Sequence, residues 1–348
     1  MSTRTKKEGK LRDWLGPESA VARSVEKSSR SQLAAYREHP PLVEEHANLE
    51  RSVVEGGYGR KQLYELIQNG ADELLGSKLG GRIEVVLTEE ALYCANEGTP
   101  VTPKGAETIL QSHLSRKDGL EIGRFGLGFK SVLGVSTRPE LLSRSGSFRF
   151  DQADSARRIR EVLPDQTDVP TLRLGRGVDP KVLAADDRVL TELMEWATTI
   201  VRLPRDVADT SWLADDLRSF PAQFLIFCPH VKELVLDDRE SGSRRVVTVS
   251  GERDGRLTLC DDDTEHHWLV KRATHSPSEA AKKDGGYSAD RDEVPLLWAV
   301  PEGGMRLGEL WAFFPTGERT TLTGILNAPW KLDPSRIGVL EGPFNEEL

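Results

Sequence analysis

Residues 61–75, KQLYELIQNGADELL, constrain the chain more than any other segment. Leu63, Leu66, Ile67 and Leu74 recur at helical spacing, within a helical pattern that extends over 46–80. Glu65, Asn69 and Asp72 stand at i, i+4 and i+7, so a helix puts them on one face and the apolar residues on another. A carboxylate one turn before an amide suits a water-activating base beside a metal ligand. Glu65 is placed to accept a proton from an attacking water. The Asn69 side-chain oxygen suits Mg²⁺, which takes oxygen ligands and keeps several waters and substrate phosphates. The plain alternative is a solvated polar face.

The flanking segments read as a mixed α/β chain. RIEVVLTEE and ALYCAN alternate as a strand pair, with Glu89 and Glu90 in the turn. A short helix is expected over 102–112 with Thr102 as N-cap. Two strands follow around Ser145-Gly146, a charged helix over 152–163, and a strand over 197–205 that ends at Pro204. Beyond 207 come a helix from Ser211 to Ser219 and short strands at VKELVL, RRVVTVS, RLTLC, HWLVKR, VPLLWAV, ELWAFFP and TLTGIL, with a polar loop over 275–290. This pattern predicts a second α+β domain. The expected division is a polar, partly ordered extension over 1–45, a first domain over 46–206 and a second over 207–348.

Composition narrows the function classes. The 348 residues carry 47 Lys+Arg against 56 Asp+Glu, a net charge of −9, which argues against a global grip on nucleic acid. The basic start (Arg4, Lys6, Lys7, Lys10, Arg12) reads as a solvated tail. Cys94, Cys228 and Cys260 are too few and too scattered for a disulfide framework or a Cys-ligated zinc site. No run approaches the ~18 apolar residues of a membrane helix, and the start lacks a signal-peptide core. A soluble, cytoplasmic protein is expected. His266 and His267 would face opposite ways on a strand, so the segment Cys260–His267 reads as an acidic turn and not as a metal site.

Two further pieces bear on chemistry. GRFGLGFKS carries Gly123, Gly126 and Gly128, which allow close backbone approach to a ligand, and a helix starting near Gly126 would aim N–H groups at an anion. The spacing fails the dinucleotide fingerprint, and Phe129 between Gly128 and Lys130 breaks the Walker A pattern. Asn96, in ANEGTP, stands at a strand end before Gly98 and is placed to point into a pocket.

In order, E-x-x-x-N-x-x-D, a strand pair ending near a glycine, a polar stretch and G-x-x-G-x-G resemble the GHKL ATPase superfamily. The likeness is greatest to its heat-shock-chaperone and sacsin-like branch, on ELIQNGADE, SRK and IGRFGLGFKSV. The resemblance implies a layered α/β sandwich, a mixed sheet under helices with ATP on the helical side, followed by a transducer-like coupling domain. It implies Glu65 as general base and Asn69 as Mg²⁺ ligand, with Glu65 beside the metal. Asp72 supports an adenine pocket. Ser115 and Lys117 belong to a lid. Gly123, Arg124, Phe125, Gly126, Leu127, Gly128 and Lys130 form the phosphate-facing loop. Asn96 and Gly98 match the adenine-reading position, where the family usually has Asp; Asn keeps an acceptor, loses the charge and adds a donor.

GELWAFFPTGERTTLTGILNAPWKLDPSRIGVLEGPFN resembles the segment after the ATP domain, and Arg336 matches an arginine that reaches the γ-phosphate on docking. The implied activity is a Mg-ATP-dependent conformational ATPase, expected to be the N-terminal part of a longer protein. Its client is unknown, and a homodimer would form through regions outside this chain. A nucleotide-gated module with little hydrolysis and a nucleic-acid-coupled ATPase of a defence-type system are the alternatives. A sensor histidine kinase is disfavoured, because His39 and His46 lie in a Pro-interrupted stretch too short for a dimerising helix pair.

Overall fold

The computed structural model describes residues 13–55, 61–75, 80–111, 128–285, 292–304, 307–333 and 336–348. The chain forms two compact units, 1–218 with 236–244 and 219–235 with 245–348. Among the described residues no helix is long and apolar enough to cross a membrane.

The first unit opens with α1 (Ala20–Glu38), which begins where the Ser19 hydroxyl accepts the Ala22 amide at 3.1 Å. Residues 1–45 are therefore not simply an extension: from Trp14 onward they are part of the core. Trp14, Val21, Ala22, Val25, Tyr36 and Val43 are buried. The polar look of α1 hid a narrow apolar stripe, and one of its serines, Ser29, is itself buried, bonding Val25 O at 2.8 Å and Gly175 O at 3.0 Å. α2 (Pro41–Glu55) and α3 (Gln62–Leu74) follow. The helical pattern read over 46–80 is thus two helices; residues 56–60 lie outside the described part.

β1 (Gly81–Leu87) and β2 (Ala91–Asn96) form the expected hairpin, with Ile83 opposite Asn96 and Leu87 opposite Leu92. α4 (Pro103–Leu110) starts at Thr102, whose hydroxyl accepts the Gly105 amide at 3.0 Å. A 3₁₀ helix spans Gly128–Gly134. Then come β3 (Glu140–Ser143), β4 (Phe148–Phe150), α5 (Gln152–Arg160), β5 (Gly175–Gly177), α6 (Pro180–Ala184), α7 (Arg188–Met194), β6 (Thr199–Pro204) and α8 (Trp212–Ser219).

These six strands make five antiparallel pairs, in the order β1-β2-β6-β3-β4-β5. Side chains alternate across the sheet. Val86, Ala91, Tyr93, Ala95, Leu142 and Ile200 pack on one face with Trp14, Leu190, Leu193 and Met194, so α6 and α7 cover that side. α3 covers the other face. Gly70, in the middle of α3, brings it down onto the hairpin: a Cβ there would lie 3.3 Å from Ile83 Cδ1 and 3.5 Å from Asn96 Cβ.

β7 (Val231–Asp238) follows in the chain, and the second unit is built on β8 (Ser243–Arg253), β9 (Arg256–Asp261), β10 (Thr264–His275), β11 (Val294–Pro301), β12 (Gly308–Ala312), β13 (Phe314–Thr320) and β14 (Ile325–Asn327). Their order is β8-β9-β10-β11-β14-β12-β13, and β12–β14 is a parallel pair in otherwise antiparallel neighbours. ELWAFFP is two strands and not one. Phe313, at φ 67°, breaks it, and its amide donates to Asn327 Oδ1 at 2.6 Å. His266 and His267 are exposed on β10, next to a turn with Asp262 at φ 50°. No group of three or more metal-ligating acidic, His or Cys side chains occurs among the described residues.

Candidate functional site

The polar face of α3 is not solvated. Glu65 and Asp72 are buried at 3% and 6% exposure, alongside Gln62 and Gln68, while Asn69 is half-buried. A free carboxylate would not go there without a compensating environment. Glu65 sits in the first turn of α3, where its charge complements the helix dipole.

Beneath α3 the sheet face ends in a polar row. Thr199 on β6 lies opposite Asn96 on β2, and Ser143 on β3 lies opposite Thr199. Directly opposed residues in antiparallel strands point to the same face, so the three form a line across the sheet. Thr199 and Ser143 hydroxyls are 3.1 Å apart, and Ser143 Oγ accepts the Val101 amide at 3.1 Å. Below the row the face turns apolar, with Leu92 and Cys94; burial pushes the Cys94 thiol up to about 12. Asn96 is 5% exposed, and its Nδ2 is buried with no hydrogen-bond partner among the described residues.

Gly98 has a structural task at the same corner. A Cβ there would lie 2.6 Å from the backbone carbonyl of Glu73, and Glu73 O accepts the Thr99 amide at 3.1 Å. The loop after β2 is thereby pinned to the end of α3, which fixes Asn96 relative to the helix.

The described end of the Gly-rich stretch packs on α3 as well. Gln62 Nε2 donates to Ser131 O at 2.8 Å. The helix anticipated near Gly126 is, where described, a 3₁₀ turn from Gly128. Ser115, Lys117, Gly123, Arg124, Phe125, Gly126 and Leu127 lie outside the described residues. Lys130 is buried, with its charge set against Glu50 and Arg173. Burial first, and Arg173 second, lower its ammonium to about 8.

Glu50 on α2 is the centre of this second cluster. Its carboxylate accepts Thr171 N at 2.6 Å and Leu172 N at 2.9 Å. Burial still raises it to about 7, against those amides and the charges of Arg173 and Lys130. Arg173 Nη1 donates to Leu110 O at 2.7 Å, while Nε and Nη2 meet no partner among the described residues. Tyr36 is held above the usual phenol range by burial, and its hydroxyl lies 2.9 Å from His46 Nδ1.

The sequence reading missed Glu50, Arg173, Thr199 and Ser143. Thr198-Thr199 at the start of a strand was a signal, but only the register shows that Thr199 faces Asn96. Arg336 belongs to the second unit. It sits in a loop at φ 58°, and its amide donates to Asp333 O at 3.0 Å.

No protein-family model matches this chain, and no curated protein matches it.

Proposed function

We propose that this chain binds a nucleoside triphosphate with Mg²⁺ between α3 and the end of β2, and hydrolyses it as a conformational ATPase of the GHKL type. The observation that carries this reading is the pairing of a buried acidic helix face with a buried, partnerless amide held against it by Gly70. An unsatisfied buried amide costs on the order of 1–3 kcal/mol, which a base edge hydrogen-bonded to Asn96 would recover.

Glu65 is the general base for the attacking water, and the Asn69 oxygen holds the metal. Magnesium bound by one side-chain oxygen, waters and phosphates needs no cluster of carboxylates, so the donor set fits. When bound, the ion neutralises phosphate charge. Asp72 supports the base side of the site. Lys130 acts within the cluster around Glu50, and Gly98 positions Asn96.

The test is nucleotide binding and phosphate release by wild type and Glu65→Ala. We expect both to bind Mg-ATP and the variant to turn over at least about a hundredfold more slowly. Equal turnover by the two would remove Glu65 as base. Binding with no release by either would leave a nucleotide-gated module.

A further inference from the structure

We infer that Asn96 makes the site ambivalent between 6-amino and 6-oxo purine nucleotides; this rests on the nucleotide reading above. Asn96 is 5% exposed, it lies on the sheet face under α3, and its Nδ2 is buried with no partner among the described residues. A purine edge laid against it meets one donor and one acceptor side by side. Adenine offers the complement directly: its 6-amino group donates to Oδ1, and N1 accepts from Nδ2. Hypoxanthine offers the reverse pattern, an acceptor at O6 and a donor at N1. A half-turn of the amide about Cβ–Cγ exchanges its oxygen and nitrogen and meets that pattern equally well.

The neighbours do not fix the amide's orientation. Thr199 stands opposite Asn96, and the Thr199–Ser143 contact can carry its proton from either oxygen. Each hydroxyl is both donor and acceptor, so the row Asn96–Thr199–Ser143 holds no group that can only accept. A carboxylate at position 96 would be such a group. It would take the amino group of adenine but would set an oxygen against O6 of a 6-oxo purine, leaving both buried and unsatisfied. The amide thus removes the element that rejects the wrong base, and discrimination of this kind depends on such an element.

The experiment is calorimetric titration of the full chain with Mg-ATP and Mg-ITP, for wild type and Asn96→Asp. Wild type is expected to bind the two nucleotides within about tenfold of each other. The variant is expected to keep ATP and to lose ITP by about a hundredfold or more. Wild-type binding of ATP with ITP weaker by a hundredfold overturns the inference while leaving the nucleotide site standing. An unchanged ratio in a variant that still binds ATP overturns it too. Failure of wild type to bind either nucleotide overturns the nucleotide reading itself, and this inference with it. The wild-type ratio decides the matter even if Asn96→Asp does not fold.

Discussion

Glu50 is a buried carboxyl whose protonation state bears on this fold. It ties α2 to Thr171 and Leu172 through two backbone amides, yet burial lifts it from 4.5 to about 7. Between those values the folded protein holds a proton that the unfolded chain has lost. Stability from this group therefore falls as pH rises from about 4.5 to 7, and is level above that. Lys130 acts in another window. Its charged form is disfavoured on folding, so the penalty it imposes below about 8 fades as pH rises toward 10.5. Comparing wild type with Glu50→Gln by urea unfolding at pH 5 and pH 7.5 isolates the first effect. The advantage of wild type over the variant should shrink at the higher pH, by up to a few kcal/mol. A constant difference would mean that Glu50 titrates normally. Such a cluster is invisible in sequence, because Glu50, Lys130 and Arg173 are far apart in the chain and nothing in their spacing announces contact.

Elements here are set by local chemistry and placed by small residues. The Thr102 cap, the Glu89-Glu90 turn and the strand ending at Pro204 were readable directly, and the structure has all three. The seating of α3 was not readable, because it depends on what a missing Cβ leaves open. Gly98→Ala tests this. The new methyl would meet the Glu73 backbone at 2.6 Å, and backbone cannot step aside as a side-chain tip can. We expect a loss of about 1–3 kcal/mol in thermal or denaturant unfolding. If the proposed site is right, nucleotide binding should weaken together with stability, since the same contact fixes Asn96 against α3. Unchanged stability would show that the loop has slack.

At the scale of the whole molecule, the division read near residue 206 misses a return of the chain. Leu236–Arg244 belongs to the first unit, where Arg239 N donates to Leu87 O at 2.9 Å and Arg239 pairs with Glu192 at 2.9 Å. Arg205 also pairs with Glu240 there. A fragment ending at 206 loses α8 and this segment, which carries the end of β7, the strand beside β1, and so leaves β1 with an unpaired edge. It should be cut by protease at concentrations that leave the corresponding region of the full chain intact. Equal resistance would place the boundary back at 206.

The sequence by itself determined the identity of most elements, the paired faces of α3 and the residues worth naming on it. Those are properties of periodicity and of side-chain chemistry, both of which are local. Only the tertiary structure decided that the acidic face of α3 is buried and not solvated, that the first helices belong to the core, and that Thr199 and Ser143 extend a row from Asn96. Burial and cross-strand register arise when distant segments meet. They depend on which strand lies beside which, and no single segment carries that information.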